Sequence, residues 1–158
     1  MVIPSLAKDG DTEYTVTAIG NYNFCGCSDL TSVTIPNSVT AISDYNFCGC
    51  SDLTSVIIPN SVTSLGEYAL YGCSGLTSVT IPNSVATIGK YAFGGCSGLT
   101  SVTIPNSVAT IGKYAFYSCS SLKDFTVEDG DTELTFGHNA FMDAPIENLY
   151  ISRNWSYG

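Results

Sequence analysis

The hydrophobic positions of this chain recur with a period of 23 residues. The segment LTSVTIPNSV begins at Leu30 and returns, with one substitution in its second copy, at Leu53, Leu76 and Leu99. The steps 53 − 30, 76 − 53 and 99 − 76 are each 23. One more such step reaches Leu122, where the sequence changes to LKDFTVEDGD. A fixed period of this length is typical of solenoids, in which each repeat forms one coil that stacks on the next.

The first half of the unit predicts a short strand followed by a turn. Leu30, Val33 and Ile35 supply inward-facing apolar side chains, and β-branched residues suit a strand. Pro36 ends the strand because proline has no N–H group to donate to the ladder. Asn37-Ser38 follows as a turn signal. Parallel strands of neighbouring coils are therefore expected to form a ladder with a spacing of about 4.8 Å.

The second half of the unit repeats as well, from AISDYNFCGCSD in one coil to TIGKYAFGGCSG in a later one. Val39 and Ile42 predict a second extended stretch that faces inward. Tyr45 and Phe47 predict the apolar anchors of a short helical turn, after which residues 49–51 return the chain to the next leucine. Because one coil cannot bury its apolar face alone, stability is expected to come from stacking.

The repeat LxxVxIPxSVxxIGxYAFxGCSx resembles the BspA-like leucine-rich repeat family. The match covers nearly the whole chain and is most specific in the four central coils. The closing stretch LTFGHNAFMDAPIENLYISRN is similar to the divergent units of that family. Its members are typically secreted or surface-attached proteins of host-associated bacteria, and several are adhesins. The resemblance therefore implies a non-catalytic module, at the cell surface or secreted, that binds a host or bacterial surface protein.

The pattern and the resemblance together predict one leucine-rich repeat solenoid, a right-handed superhelix that is mostly β with short helical turns. Its parallel strand ladder is expected to line the concave face. The single domain spans residues 1–158, with a partial coil at 1–29, regular coils at 30–121, a divergent coil at 122–148 and a partial coil at 149–158. Because the chain begins directly with strand-like residues, we expect it to be a fragment of a longer protein.

Composition and charge narrow the classes of partner. The formal net charge is −9, from 14 acidic and 5 basic residues. Phosphate backbones and anionic membranes are bound by clustered Lys and Arg, whereas the basic residues here are scattered: Lys8, Lys90, Lys113, Lys123 and Arg153. No apolar run approaches the roughly 20 residues that cross a bilayer. We therefore expect no nucleic acid partner and no membrane insertion by this segment.

Most of the cysteines follow the same period and predict a column of buried thiols, one per coil: Cys27, Cys50, Cys73, Cys96 and Cys119. The remaining two, Cys25 and Cys48, lie side by side on adjacent coils. Either a disulfide in an oxidising compartment or two free thiols would fit there, and we favour free thiols. The Cys-Gly-Cys pairs lack the C-x2-C spacing that is usual for zinc ligands, so a zinc site is disfavoured.

The sequence DGDTE occurs twice, at 9–13 and 129–133, where the coils carry extra residues. Its carboxylates would suit Ca²⁺, but they lack EF-hand spacing, and we favour a hairpin-like loop with Asp-Gly as its turn. Catalysis has little support, because none of the repeated serines stands out as a nucleophile that the only histidine, His138, could activate. We therefore expect no enzyme activity, no metal and no cofactor.

The outward positions of the first strand are the second, third and fifth residues of each unit, which we name the hydroxyl face. Its members are Thr31, Ser32, Thr34, Thr54, Ser55, Ile57, Thr77, Ser78, Thr80, Thr100, Ser101, Thr103, Lys123, Asp124 and Thr126. We predict that a protein ligand binds there. Two other functions stay open: a structural spacer within a longer array, and carbohydrate or ice binding by the Ser/Thr ladder. Aromatic residues outside the core are expected at a rim or scattered: Tyr71, Tyr117, Trp155 and Tyr157.

Overall fold

The structure is a computed structural model that describes residues 1 to 158. It is a stack of three-sided coils without helices, and so without any helix that is long and apolar enough to cross a membrane. The strands are β1 (Leu6–Asp9), β2 (Thr12–Thr15), β3 (Ser32–Thr34), β4 (Ala41–Ile42), β5 (Ser55–Ile57), β6 (Ser64–Leu65), β7 (Thr87–Ile88), β8 (Ser101–Ile104), β9 (Thr110–Ile111), β10 (Asp124–Val127), β11 (Leu134–Phe136), β12 (Asn148–Ile151) and β13 (Trp155–Tyr157).

The first side of each coil forms the predicted parallel strand ladder, which the structure divides into two sheets. β3 pairs with β5, and β10 pairs with both β8 and β12. The register is one full repeat, so that Val102 lies beside Phe125. The coil that begins at Leu76 has no regular strand on this side, and only Thr80 bridges to Ile57. The ladder is therefore interrupted near its middle.

The second side forms one continuous sheet of six parallel strands, in the order β13-β11-β9-β7-β6-β4. Ile42, Leu65, Ile88 and Ile111 lie in register along it, and each is at most 1% exposed. The predicted second extended stretch is thus confirmed. Its inward positions supply one wall of a core of 36 buried hydrophobic residues.

The turn between the first and second sides is held by a row of serines. Ser61 Oγ donates a hydrogen bond to the carbonyl oxygen of Val39, one coil earlier, over 2.6 Å. Ser38, Ser84 and Ser107 make the same bond to the coil that precedes each of them. The serine of each Pro-Asn-Ser turn therefore ties its coil to the previous one.

The third side is a non-helical turn, so the predicted short helical turn is wrong. A helix directs its N–H groups to carbonyls four residues earlier in the same segment. Here the backbone N–H groups of Tyr45, Phe47 and Gly49 donate instead to carbonyls of the next coil, over 2.7–2.8 Å. Tyr45 has a left-handed backbone with φ of 55°, and Gly49 has φ of 73°. These two residues turn alternate N–H groups out of the coil and toward its neighbour.

The aromatic anchors of the third side are phenylalanines alone. Phe47, Phe93 and Phe116 are fully buried, as the sequence predicts for Phe47. The rings of Phe93 and Phe116 stack with centroids 5.3 Å apart. Tyr45, which the sequence predicts as a second anchor, is half-buried at the surface, because its left-handed backbone turns the ring away from the core.

The predicted column of buried thiols is confirmed for Cys50, Cys73, Cys96 and Cys119. Each Sγ donates to a backbone carbonyl of the preceding coil, over 3.1–3.2 Å. Cys27, in the first coil of the structure, is exposed. Burial raises the pKa of the Cys50 thiol to about 11 and that of the Cys119 thiol to about 12. Neutral thiols therefore fill this column.

The two DGDTE segments adopt different conformations. At 9–13 the predicted hairpin is confirmed, because β1 and β2 are antiparallel and Asp9 pairs with Thr12. Its two-residue turn is Gly10-Asp11 and not the predicted Asp-Gly, and Gly10 has φ of 60°. Tight two-residue hairpin turns of one common type have glycine at their first central position. At 129–133 the hairpin prediction is wrong, because the flanking strands β10 and β11 belong to different parallel sheets. The second segment is an irregular loop that turns the corner between two sides.

Candidate binding faces

The structure places the hydroxyl face on the first side of the stack, where its side chains stand between buried aliphatic residues. Every member is exposed except Thr126, which is half-buried. The register aligns Ser101 with Asp124 and Thr103 with Thr126, so that equivalent positions form rows across the coils. Alternating exposure follows from the two-residue period of side chains in a strand.

Two hollows interrupt the hydroxyl face on either side of Thr80. One, of about 310 Å³, lies between Thr80 and Thr103 and reaches Glu128. The other, of about 340 Å³, lies between Thr80 and Ile57. Both border the coil that lacks a regular strand, and Ile57, at 62% exposure, is the one large apolar side chain of the face. The surface is therefore grooved near its centre.

The charged end of the hydroxyl face is already engaged in polar contacts. Lys123 Nζ lies 2.8 Å from Glu147 Oε1, and Asn148 Nδ2 donates to Asp124 Oδ1 over 2.6 Å. The hydrogen bond that Lys123 donates to Glu147 is the main reason that the pKa of Lys123 is raised. Since both partners of the ion pair are exposed, the pair contributes little to stability.

A row of stacked tyrosines runs along the third side, and the sequence reasoning missed it. We name it the tyrosine ladder: Tyr22, Tyr45, Tyr68, Tyr91 and Tyr114. Successive ring centroids are 4.5–4.8 Å apart and the rings are within 16° of parallel. Desolvation, and then the neighbouring tyrosines, raise the pKa of Tyr45 and Tyr91. The signal was the tyrosine that recurs every 23 residues, two places before a phenylalanine in four coils and before Leu70 in the other.

The tyrosines expected at a rim pack against this ladder. Tyr71 packs edge-on against Tyr68 with centroids 5.5 Å apart, and Tyr117 packs edge-on against Tyr114 at 6.0 Å. Lys113 Nζ lies 5.1 Å from the centroid of the Tyr114 ring, a cation–π contact. Further aromatic and cationic groups thus pack against the tyrosine ladder.

The remaining two aromatic residues also cluster instead of being scattered. Trp155 and Tyr157 lie 5.3 Å apart by ring centroid, and both pack against Phe136. Tyr157 also lines a hollow of about 610 Å³ with His138, the single histidine, and Met142. His138 is exposed at the mouth of this hollow.

The acidic and thiol groups form no cluster of three that could hold a metal ion. In the first DGDTE segment, Glu13 pairs with Lys8 across the hairpin over 2.9 Å. Cys25 and Cys48 are free thiols. Burial, followed by the proximity of Cys25, raises the pKa of Cys48 to about 11.

Six copies of the BspA type leucine rich repeat region match residues 17–148. This chain belongs to the BspA-type leucine-rich repeat family. The fold and the family expected from the repeat are thereby confirmed. Proteins of this repeat type are typically non-enzymatic and mediate protein interactions. No curated protein sequence matches the chain significantly.

Solved bacterial leucine-rich repeat structures are similar to this chain. The Treponema pallidum leucine-rich repeat protein TpLRR has 28% identity and a TM-score of 0.87, over 99% of this chain and 72% of that one. A leucine rich cell surface protein from Faecalibacterium prausnitzii has 32% identity and a TM-score of 0.76, over 96% of this chain and 43% of that one. A Bacteroides ovatus leucine-rich repeat protein shares the fold at 24% identity and a TM-score of 0.57, over 92% and 49% of the two chains.

Proposed function

We propose that this chain is a non-catalytic protein-binding module of a bacterial surface or secreted protein, and that the hydroxyl face makes the contact. The observation that carries the proposal is the exposure of almost the whole face on one side of the solenoid, with hollows beside Thr80. A row of parallel strands in a solenoid offers an extended surface for a partner. The surface location is supported by the similar F. prausnitzii protein, which is described as a cell surface protein.

The chemistry of the face favours a polar partner of low charge. Its side chains are chiefly hydroxyls, and the charged groups at one end are engaged by Glu147 and Asn148. The net charge of −9 disfavours strongly acidic partners. Because the face carries no tryptophan, tyrosine or arginine, which dominate interface energies, its affinity is modest. Adhesion through such a face depends on several weak contacts made at once.

The test compares two threonine-to-arginine variants. Thr80→Arg places a long cation between the two hollows, and Thr87→Arg places the same cation on the exposed surface of β7, on the second side. The tagged chain is used to capture partners from host extracellular and bacterial surface proteins, and the affinity of each captured protein is measured for both variants. We expect Thr80→Arg to weaken binding about tenfold or more, and Thr87→Arg to change it less than about twofold. Equal effects of the two variants would place the contact elsewhere.

The second candidate is a structural spacer within a larger repeat protein. It is supported by the near-identity of the central coils and by the share of the F. prausnitzii protein that this chain spans, 43%. Deleting residues 76–98, one whole repeat, in the longer protein separates the two functions. A spacer tolerates the deletion, whereas a binding face loses the segment that contains Thr80.

Carbohydrate or ice binding by the hydroxyls has less support. Thr54 Oγ1 donates a hydrogen bond to the carbonyl oxygen of Thr31 over 3.1 Å. Part of the hydrogen-bonding capacity of the hydroxyl face is therefore used within the molecule. The rows of hydroxyls are also broken by Ile57 and by the missing strand near Thr80. A glycan array and a thermal hysteresis assay test these two functions, and we expect no signal in either.

A further inference from the structure

A row of charged residues runs beside the tyrosine ladder, with one residue in each of four successive coils. We name Asp44, Glu67, Lys90 and Lys113 the charge row; each directly precedes a tyrosine of the ladder. The backbone N–H groups of the first four ladder tyrosines donate to the carbonyl oxygens of these residues, each in the next coil, over 2.8–3.2 Å. The four residues therefore lie in register, and successive members are about 4.8 Å apart along the solenoid.

The charges of this row are segregated and unpaired. Two carboxylates are followed by two ammonium groups, so like charges lie side by side within each half of the row. Glu67 and Lys90 are neighbours but form no ion pair, since both salt bridges of the molecule involve other residues. Lys90 and Lys113 lie near tyrosine rings instead, 5.1–6.0 Å from their centroids. Three of the four residues are exposed, and Asp44 is half-buried.

The tyrosine ladder beside the charge row adds aromatic surface to the third side. Its four members from Tyr45 to Tyr114 are half-buried. Tyrosine is enriched in protein–protein interfaces and among the residues that dominate their energies. This surface is lateral, because Glu67 and Lys90 are exposed although coils stack on both sides of each. Further coils at either end would lengthen the surface and would not cover it.

The order of the charges makes the row complementary to itself. A half-turn about an axis that passes between the coils of Glu67 and Lys90, perpendicular to the solenoid, reverses the order of the row. Asp44 of one copy then faces Lys113 of the other, and Glu67 faces Lys90. A two-fold interface requires such self-complementarity of one surface patch. A parallel arrangement of two copies would instead place each charge against its own kind.

We propose that two copies of this chain associate through their third sides, antiparallel and related by this two-fold axis. The two Asp44–Lys113 and two Glu67–Lys90 contacts are ion pairs between the copies, and the tyrosine ladders face each other with their order reversed. The hydroxyl face lies on the first side and stays free in both copies. A dimer therefore presents two binding faces, which strengthens attachment when each contact is weak.

The dimer is weak, because the contact is small. The charge row is only about 14 Å long, and a stable interface buries about 800 Å² per partner. We expect a dissociation constant of about 0.1 mM. Sedimentation equilibrium between about 10 µM and 1 mM chain measures it, in about 0.1 M salt. The Debye length of about 10 Å then screens the long-range repulsion between two chains of like net charge, while close ion pairs persist.

Two charge reversals and their mixture test the pairing. Glu67→Lys and Lys90→Glu each place like charges in contact twice per dimer, so each variant alone should associate about tenfold more weakly or worse than the parent. In an equimolar mixture of the two variants, every contact of the row is again between opposite charges. The mixture should therefore associate about as tightly as the parent. The chain that carries both changes should also recover, because its reversed row is again self-complementary.

Glu133→Lys is the matched control, since it makes the same change of net charge at an exposed residue of the 129–133 loop. It should alter self-association less than about twofold. All the replaced side chains face solvent, so thermal midpoints should stay within about 2 °C of the parent.

Three results would overturn the proposed dimer. They are a monomeric chain up to about 1 mM, a mixture that associates no better than either variant alone, and losses in the row variants no larger than that in Glu133→Lys. Thr80→Arg, which tests the hydroxyl face, should leave self-association unchanged. The dimer and the binding face can therefore fail independently.

Discussion

Arg153 donates a hydrogen bond from Nη2 to the carbonyl oxygen of Val108, 45 residues earlier, over 2.6 Å. In the preceding coils the equivalent carbonyl accepts from a serine of the next coil, as Val85 does from Ser107. The next serine position is held by Gly130, which has no side-chain donor. Arg153, only 7% exposed, takes over that role and also donates to the carbonyls of the turn at 105–106.

We expect Arg153→Ala to destabilise the chain by about 2–3 kcal/mol, because it leaves buried carbonyls without a donor. Urea unfolding followed by circular dichroism measures the loss. Arg153→Lys should recover less than half of it, since one ammonium cannot replace the planar fork of donors. Lys8→Ala, at an exposed ion pair, serves as the control and should change stability by less than about 0.5 kcal/mol. A neutral effect of Arg153→Ala would contradict this role.

Glycines at one corner set the close approach of successive coils. A Cβ atom at Gly89 would lie 2.5 Å from the carbonyl carbon and oxygen of Gly66, and neither coil can move without disturbing its own ladder. We expect Gly89→Ala to destabilise the chain by about 1–3 kcal/mol. Gly20 holds the same position in the first coil, and a Cβ there meets only the Asn23 side chain at 3.5 Å. Gly20→Ala should therefore be close to neutral, and similar losses in the two variants would refute a steric cause.

The tyrosine ladder should contribute stability in proportion to the number of ring neighbours. Tyr91 stacks between Tyr68 and Tyr114 at 4.8 Å, whereas Tyr22 has one stacked partner. Asparagine is the suitable replacement, because Asn139 already adopts this left-handed backbone. We expect Tyr91→Asn to cost about 2–3 kcal/mol and Tyr22→Asn less than about 1 kcal/mol. Urea unfolding measures the loss of stability in both variants. The near-ultraviolet circular dichroism signal should weaken more in Tyr91→Asn than in Tyr22→Asn. Equal losses of stability in the two variants would contradict stacking as the cause.

The buried thiols should lower stability at alkaline pH. Burial raises the pKa of Cys50 to about 11 and of Cys119 to about 12, from an ordinary value of 9.0. Above pH 9 the unfolded chain releases these protons while the folded chain retains them, so the free energy of unfolding falls as pH rises. The contribution is fully present below pH 9 and is lost as pH rises toward 11–12.

Urea unfolding between pH 8 and about 10.5 measures this loss. Cys119→Ala is the matched control, because Ala144 fills the corresponding place in the divergent coil. Its stability should depend less steeply on pH than that of the parent chain. Iodoacetamide should label Cys25 and Cys27 in the folded state and reach Cys119 only on unfolding. An unchanged pH dependence in Cys119→Ala would show that other groups, such as the tyrosines of the ladder, cause the alkaline loss.

The hydroxyl face could be located from the sequence, and the hydrogen bonds between coils on the third side could not. The alternation of Thr-Ser-Val-Thr-Ile places the hydroxyls outward whenever the segment is extended, because the side-chain period of a strand is two. Those bonds depend on which N–H groups face the next coil, and that depends on the positive φ of Tyr45 and Gly49. The repeat pattern of the sequence does not reveal those dihedral angles.

The sequence by itself determined the solenoid, because a 23-residue period of Leu, Val, Ile and Phe forces coils to bury their faces against each other. It also determined the buried cysteine column, which follows that period. Tertiary structure alone decided that the tyrosines stack outside the core, because the left-handed backbone of Tyr45 directs its side chain to the surface. It likewise decided that one DGDTE forms a hairpin and the other a loop. Identical local preferences yield different conformations when the flanking strands must join one antiparallel pair or two separate parallel sheets.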